Sequence, residues 1–417
     1  MLVLDSGAAM DDSTITRGEA MQARRKARMA AAPPFLRGGF RPFFFGGAAW
    51  ALTALSLWLC ALFGVAELPS AMDALAWHRH EMLFGFVGAV IAGFLLTAIP
   101  NWTGRLPIAG PPLAVLAGLW LAARLVLVWS DAMGLALAAV LDIGFYLSLA
   151  FVAGREVLAA KNRNLPVVGL VLLLAVADAL DYAGALGLVA DSEAGFRGGI
   201  ALVIMIISLV GGRIVPSFTR NWMAKQGHAT RLPSQPDGYD RLVLAGTAMA
   251  GAGWTLAPDS DIISFLLGAA GMLQAVRLLR WSGWRTLSDP LVIVLHVGYA
   301  WIPVGLLLLA GSILGAIPRT AAIHALTAGA MATMILAVMT RATLGHTGRT
   351  LHAGPGTTAI YGLVTLGALL RLAASLDLVP YRAGLALAGV GWGGAFALFL
   401  VVYGRALFGS RIDKTGL

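Results

Sequence analysis

Apolar runs of about twenty residues recur along almost the whole chain, separated by short polar segments. At a rise of about 1.5 Å per residue, a helix of that length crosses a bilayer core of about 30 Å. Lipid offers no water to backbone polar groups, which restricts spanning segments to helices or closed barrels. The pattern therefore predicts an all-α polytopic membrane protein with twelve transmembrane helices. The predicted spans are 42–63, 81–101, 111–129, 133–153, 165–186, 197–217, 241–257, 261–279, 290–313, 321–341, 357–376 and 384–406.

Composition supports the same class. The 417 residues are 59% hydrophobic and 12% charged, and the mean hydropathy is +0.81. The single cysteine, Cys60, lies in an apolar run, which excludes an internal disulfide and a thiolate cluster for metal binding. The formal charge of +9 is spread over the loops between spans. That distribution is typical of membrane topology and does not indicate nucleic-acid binding.

Lysine and arginine predict the orientation of the spans. With the amino terminus in the cytoplasm, most basic residues, including those of the 213–241 loop, lie on the cytoplasmic side. The outer loops then carry mainly aspartate and glutamate. Both termini are therefore predicted to be cytoplasmic. The predicted organisation is a basic cytoplasmic tail at 1–40, a twelve-helix transmembrane domain at 41–407 and a cytoplasmic tail at 408–417.

Two distant apolar runs share one layout. His80 begins the first and His324 begins the second, and after the same number of residues each run ends in Thr-Gly-Arg, at Arg105 and Arg349. A helix over that interval is about 37 Å long. The predicted topology puts both histidines near the outer face. The sixth span ends with a related string at 216–220, which suggests three arcs of four helices, although ordinary interfacial residues explain that string equally well.

His80 and His324 are the first candidate ligands, because two imidazoles at matching depth can bind a porphyrin iron from opposite faces. Small residues follow both histidines and leave room for a flat macrocycle. They also permit close helix packing, with the histidines donating to backbone carbonyls instead. His78 lies about 200° around a helix from His80. It joins the same site only if the helix starts near His80, and otherwise it faces a second site or the outer water.

His296 and His346 lie near the predicted cytoplasmic ends of the ninth and tenth spans and form a candidate second metal site. Hydrogen bonds to neighbouring helices explain these two histidines equally well. His228 and His352 fall in polar loops, where solvated side chains are expected. The other ionisable groups within the predicted spans, which usually pair inside a membrane, are Arg124, Asp142, Asp178, Asp181 and Arg371. Asp178 and Asp181 lie three residues apart on one helix face, which fits a structural ion pair or a proton relay.

Several long strings resemble the NnrS family of membrane proteins. The strings are 39–44, 77–86, 93–104, 212–219, 295–301 and 324–349. The resemblance implies twelve spans in the bacterial inner membrane, a bound haem of the b type, copper, and a role in the response to nitric oxide and nitrosative stress, often beside denitrification. The resemblance also implies that five histidines correspond to those of the family, namely His78, His80, His296, His324 and His346. It implies no settled reaction, so enzyme activity stays open; such an enzyme would be a redox haem protein acting on nitric oxide.

A wider likeness is to the catalytic subunits of haem–copper oxidases and nitric oxide reductases. Those subunits also have twelve helices in three arcs, and they bind low-spin haem near the outer face on helices two and ten. The sixth and seventh spans predicted here carry no histidine, whereas that superfamily takes its second-metal ligands there. Oxygen reduction and proton pumping are therefore not expected.

The sequence thus predicts a haem-binding, and on the resemblance copper-binding, membrane protein that senses, scavenges or turns over nitric oxide or another small diatomic ligand. Its expected partners are the lipid bilayer and redox or denitrification proteins. One alternative is a small-molecule or metal transporter, although the repeat runs in one direction and many transporters are built from inverted halves. Another is an assembly factor that delivers haem or copper to denitrification enzymes. Walker, dinucleotide and zinc-protease signatures are absent from the sequence.

Overall fold

The computed structural model describes residues 17–227, 230 and 232–412. Residues 1–16 and 413–417, which are parts of the two predicted tails, lie outside the described residues, and so does His228. All regular structure in the described ranges is helical. The main helices are α1 (Arg17–Ala31), α2 (Phe40–Leu62), α3 (Ala74–Thr103), α4 (Pro111–Val128), α5 (Leu135–Ala159), α6 (Leu165–Ala185), α7 (Ala194–Lys225), α8 (Gly238–Leu256), α9 (Asp261–Leu279), α10 (Pro290–Ile313), α11 (Arg319–His346), α12 (Pro355–Ser375) and α13 (Tyr381–Phe408).

Eleven helices in the described part of the chain are long and apolar enough to cross a membrane, namely α2 to α7 and α9 to α13. Each matches one of the predicted spans, so the all-α polytopic membrane class is confirmed. The remaining predicted span is α8, which packs against α9 as a hairpin. Its sequence is rich in glycine, alanine and threonine and begins with the charged pair Asp240 and Arg241. These residues make α8 less apolar than the other eleven helices.

The helices form a closed bundle. Helices that follow one another in the sequence pack side by side, and α13 packs against both α12 and α2. The buried share of the most apolar window differs between the spans. It is 83% in α3, 72% in α11 and 67% in α10, but only 39–50% in the other candidate spans. Helices α3, α10 and α11 therefore form the centre of the bundle, and the peripheral helices offer an apolar side to lipid.

The two runs with a shared layout also share a backbone feature. A π-helical turn, Glu81–Val87, follows His80 directly in α3. A second π-helical turn, Ala325–Met331, follows His324 directly in α11. Such turns are rare and occur frequently at functional sites. The repeat in the sequence therefore corresponds to a repeat in the structure.

The glycines that lie five residues after each histidine allow close packing. A Cβ atom on Gly329 would lie 2.6 Å from the ring of Trp301. A Cβ atom on Gly85 would meet the carboxylate of Glu81 and the guanidinium of Arg124. At these two positions the space beside the glycine is filled by protein side chains, so the close-packing alternative applies rather than room for a macrocycle.

Candidate functional site: a histidine cavity beside a buried carboxylate cluster

A cavity of about 310 Å³ opens at the end of the bundle that carries His78, His80 and His324, the end predicted to be periplasmic. Small-molecule sites commonly have volumes of about 300–1,000 Å³. The walls are largely apolar and come from α2, α3, α7, α8, α11, α12 and α13. We call this space the histidine cavity. The residues that matter below are Trp58, His78, His324 and Arg371.

His78 of α3 and His324 of α11 both line the histidine cavity. The Nδ1 atom of His324 lies 2.8 Å from the carbonyl oxygen of Thr320, one turn earlier. Donation of the Nδ1 proton to that carbonyl orients the ring and leaves Nε2 able to bind a metal. The ring of His78 stacks on Trp58 at a centroid distance of 4.7 Å. Its Nδ1 atom is buried without a hydrogen-bond partner among the described residues, which fits a missing ligand.

Arginines surround the histidine cavity, and most of them have carboxylate partners. Arg79 binds Glu193 at 2.6 Å, and Arg319 binds Asp259 at 2.5 Å. The guanidinium of Arg371 donates to the hydroxyl of Ser375 at 2.5 Å and lies over the ring of Tyr381. Within the described ranges it makes no ion pair with a carboxylate. Its charge is therefore available to an anionic group on a ligand.

His80 does not line the histidine cavity. It is fully buried, and its Nδ1 and Nε2 atoms lie 2.8 Å from Asp181 Oδ2 and 3.0 Å from Asp142 Oδ2. The structure therefore does not bring His80 and His324 together, and the imidazoles that share a cavity are those of His78 and His324. The reason is helical phase: α3 already begins at Ala74, so residues 78 and 80 point to different sides of the helix.

His80 belongs instead to what we call the buried carboxylate cluster: His80, Glu81, Arg124, Asp142, Asp178 and Asp181. Arg124 binds Glu81 Oε2 at 2.7 Å and also pairs with Asp142. Trp50 donates to the same Glu81 oxygen at 2.6 Å. Asp178 Oδ1 lies 3.7 Å from His80 Nε2. One ligand atom each from His80, Asp142 and Asp178 lie within 4.8 Å of one another, which is close enough for a shared metal ion.

The two histidines predicted to form an inner metal site have separate partners. His296 Nε2 lies 2.8 Å from the hydroxyl of Thr219, and its ring lies edge-on to Trp281. His346 packs against Phe40 at a centroid distance of 5.6 Å. Each imidazole is thus held by a different set of neighbours, as expected for histidines that pack between helices. A metal site shared by the two stays a prediction from the sequence.

The NnrS protein family model matches residues 34–411. The chain belongs to the NnrS family. The match includes both π-helical turns, the histidine cavity and the buried carboxylate cluster. The resemblance noted in the sequence strings is therefore confirmed. A search of curated proteins finds no match to this NnrS chain.

Sequence reasoning missed two residues of this NnrS site. Glu81 is detectable from the sequence, because a carboxylate in an apolar run is costly unless it has a partner. Trp58 gave no such signal, because aromatic residues are common near membrane edges. Its contact with His78 depends on how α2 packs against α3.

Proposed function

We propose that this NnrS protein binds haem b in the histidine cavity through His78 and His324 and acts in the cellular response to nitric oxide. One observation carries the proposal: two imidazoles, from two helices that repeat one backbone design, line a single apolar cavity. Family membership supports the link to nitric oxide. We further propose that the cavity faces the periplasm of the bacterial inner membrane, with both termini in the cytoplasm and with redox or denitrification proteins as partners.

The side chains of the cavity fit the surface of a haem. The apolar walls suit the macrocycle, and Arg371 offers its unmatched charge to a propionate. The carbonyl of Thr320 holds His324 in one orientation, whereas His78 stacks on Trp58 and has no such anchor among the described residues. Of the two imidazoles, only that of His324 is oriented by a hydrogen bond among the described residues. A haem held by these two imidazoles would supply an iron centre able to exchange electrons and bind nitric oxide.

Copper has a weaker basis. His296 and His346 were the candidate pair, and each has its own partners in the structure. We therefore assign copper no role in the proposed function.

The test is the haem content of protein purified from membranes in detergent, measured by optical spectrum and iron assay. We expect His78→Ala and His324→Ala to lower haem per chain by about tenfold or more, because removal of even an outer-shell partner of a metal ligand costs about 10–100-fold in affinity. His352→Ala is the matched control, because His352 is exposed in a loop, and it should keep full haem. Elution as a single species in gel filtration confirms that each variant is folded.

Full haem in both cavity variants would overturn the assignment. If His80→Asn loses haem and His78→Ala retains it, the ligands are His80 and His324, the pair predicted from the sequence. A colourless wild-type protein free of metal would favour the transporter alternative. Haem that passes from the purified protein to a denitrification enzyme would favour the assembly factor.

A further inference from the structure

We propose that the buried carboxylate cluster is a second site, which binds a divalent cation such as Mn²⁺, Fe²⁺ or Zn²⁺ through His80 Nε2, Asp142 and Asp178. These ligands come from α3, α5 and α6, and none of them lines the histidine cavity. The proposal therefore stands independently of haem binding.

The separations of the three ligands match a shared cation. His80 Nε2 lies 3.0 Å from Asp142 Oδ2 and 3.7 Å from Asp178 Oδ1. Two donors bound at about 2.1 Å, with an angle of about 90–110° between them, lie about 3.0–3.4 Å apart. The first separation already meets this value, and the second needs a shift of about 0.3 Å by the same geometry. All three side chains are fully buried on long helices, which makes the arrangement rigid.

Asp181 gives His80 the orientation that a metal ligand needs. The Nδ1 atom of His80 lies 2.8 Å from Asp181 Oδ2. Metal-binding histidines almost always donate their second ring N–H to a carboxylate, carbonyl or water, and this fixes the tautomer that presents the other nitrogen to the metal. Here that other nitrogen is Nε2, which lies beside Asp142 and Asp178.

Asp178 is the independent sign of a ligand. It is fully buried, and neither of its carboxylate oxygens has a hydrogen-bond partner in the part of the chain that the structure describes. The same is true of Asp142 Oδ1. A buried carboxylate without a partner is strongly unfavourable. Glu156, by contrast, is buried and bound by Arg25, Arg105 and Arg155.

The charge balance and the donor types favour a hard or borderline dication. Four carboxylates of the cluster surround one guanidinium and one imidazole. A divalent cation reduces this excess of negative charge. Carboxylates with one imidazole suit Mn²⁺, Fe²⁺ and Zn²⁺, whereas cuprous copper prefers thiolate and thioether donors. Protonation of Asp178 is the competing way to relieve the unpaired charge, and it is the outcome against which the test is designed.

The experiment titrates Mn²⁺ into the chelator-treated, full-length protein in detergent and follows the loss of the free-ion signal by electron paramagnetic resonance. We expect one Mn²⁺ per chain in the wild type and binding about tenfold weaker or worse in Asp178→Asn. Glu156→Gln is the matched carboxylate control and should bind like the wild type. His78→Ala should also keep Mn²⁺ binding, which separates this proposal from the haem assignment.

No Mn²⁺ bound by the wild type, or equal binding by Asp178→Asn, would overturn the site in favour of a protonated Asp178. If Asp178→Asn does not elute as a single species, the wild type alone decides by electron spin-echo modulation. Nitrogen coupling from one imidazole to bound Mn²⁺ supports the site, and bound Mn²⁺ without such coupling refutes it.

Discussion

Removal of the Arg124 charge should be among the most damaging single substitutions in this protein. The guanidinium is fully buried and binds Glu81 at 2.7 Å as well as Asp142. Arg124→Gln leaves Glu81 buried without its ion-pair partner and removes one of the partners of Asp142. Breaking a buried ion pair from one side costs about 3–5 kcal/mol. At about 1.4 kcal/mol per factor of ten, the ratio of folded to unfolded protein should fall between about a hundredfold and a few thousandfold.

The control is the same change at an arginine in a different environment. The Arg155 side chain is 54% exposed and binds Glu156 at 2.8 Å. After Arg155→Gln, Glu156 keeps its contacts with Arg25 and Arg105. Partly exposed ion pairs contribute about 0–1 kcal/mol. Arg155→Gln should therefore unfold close to the wild-type midpoint.

Unfolding in detergent, titrated with a denaturing surfactant and followed by tryptophan fluorescence, measures both variants. The double variant Arg124→Gln/Glu81→Gln also removes the charge of the Glu81 carboxylate. Its loss of stability should therefore be smaller than the sum of the losses in the two single variants. Equal stability of Arg124→Gln and Arg155→Gln would refute the reasoning.

Two further outcomes follow from the structure. Gly329→Ala would place a methyl group 2.6 Å from the Trp301 ring and should destabilise the protein by about 1–3 kcal/mol. Gly362 has open space around it, so Gly362→Ala should be neutral or stabilising. The same unfolding titration measures both variants. A hydrogen bond from Arg280 lowers the pKa of Asp237 to about 2 from 3.8. The stabilising contribution of the ionised Asp237 carboxylate should be complete above pH 3.8 and disappear as the pH falls to 2. The midpoints of thermal unfolding of the wild type and Asp237→Asn should therefore converge in acid. A difference between the midpoints that stays constant with pH would contradict this.

The spans were predictable because the length and polarity of each run are local properties of the chain. All twelve predicted spans correspond to described helices, and eleven of these helices are apolar enough to be candidate membrane spans. Their ends differ from the prediction by several residues in α3, α5, α7 and α11. The exception, α8, shows the limit of that reasoning. It packs in the bundle as a helix, although its own composition is less apolar than that of the other spans.

The candidate site was predictable only in part. The matched runs led to α3 and α11, and both carry the repeated π-helical turn. The sequence places Arg124 and Asp142 within predicted spans but does not show that they pair. The packing of α4 against α5 brings the two groups together, and the relative displacement of two helices cannot be read from one sequence.

The sequence by itself determined that this chain is a bundle of membrane helices, that it belongs with NnrS proteins, and that histidines lie at one end of two equivalent helices. Only the tertiary structure decided that His78 shares a cavity with His324 and that His80 meets Asp142, Asp178 and Asp181. Periodicity reports which residues share a side of one helix. Which neighbour that side faces depends on contacts between residues far apart in the chain, and those are set by packing.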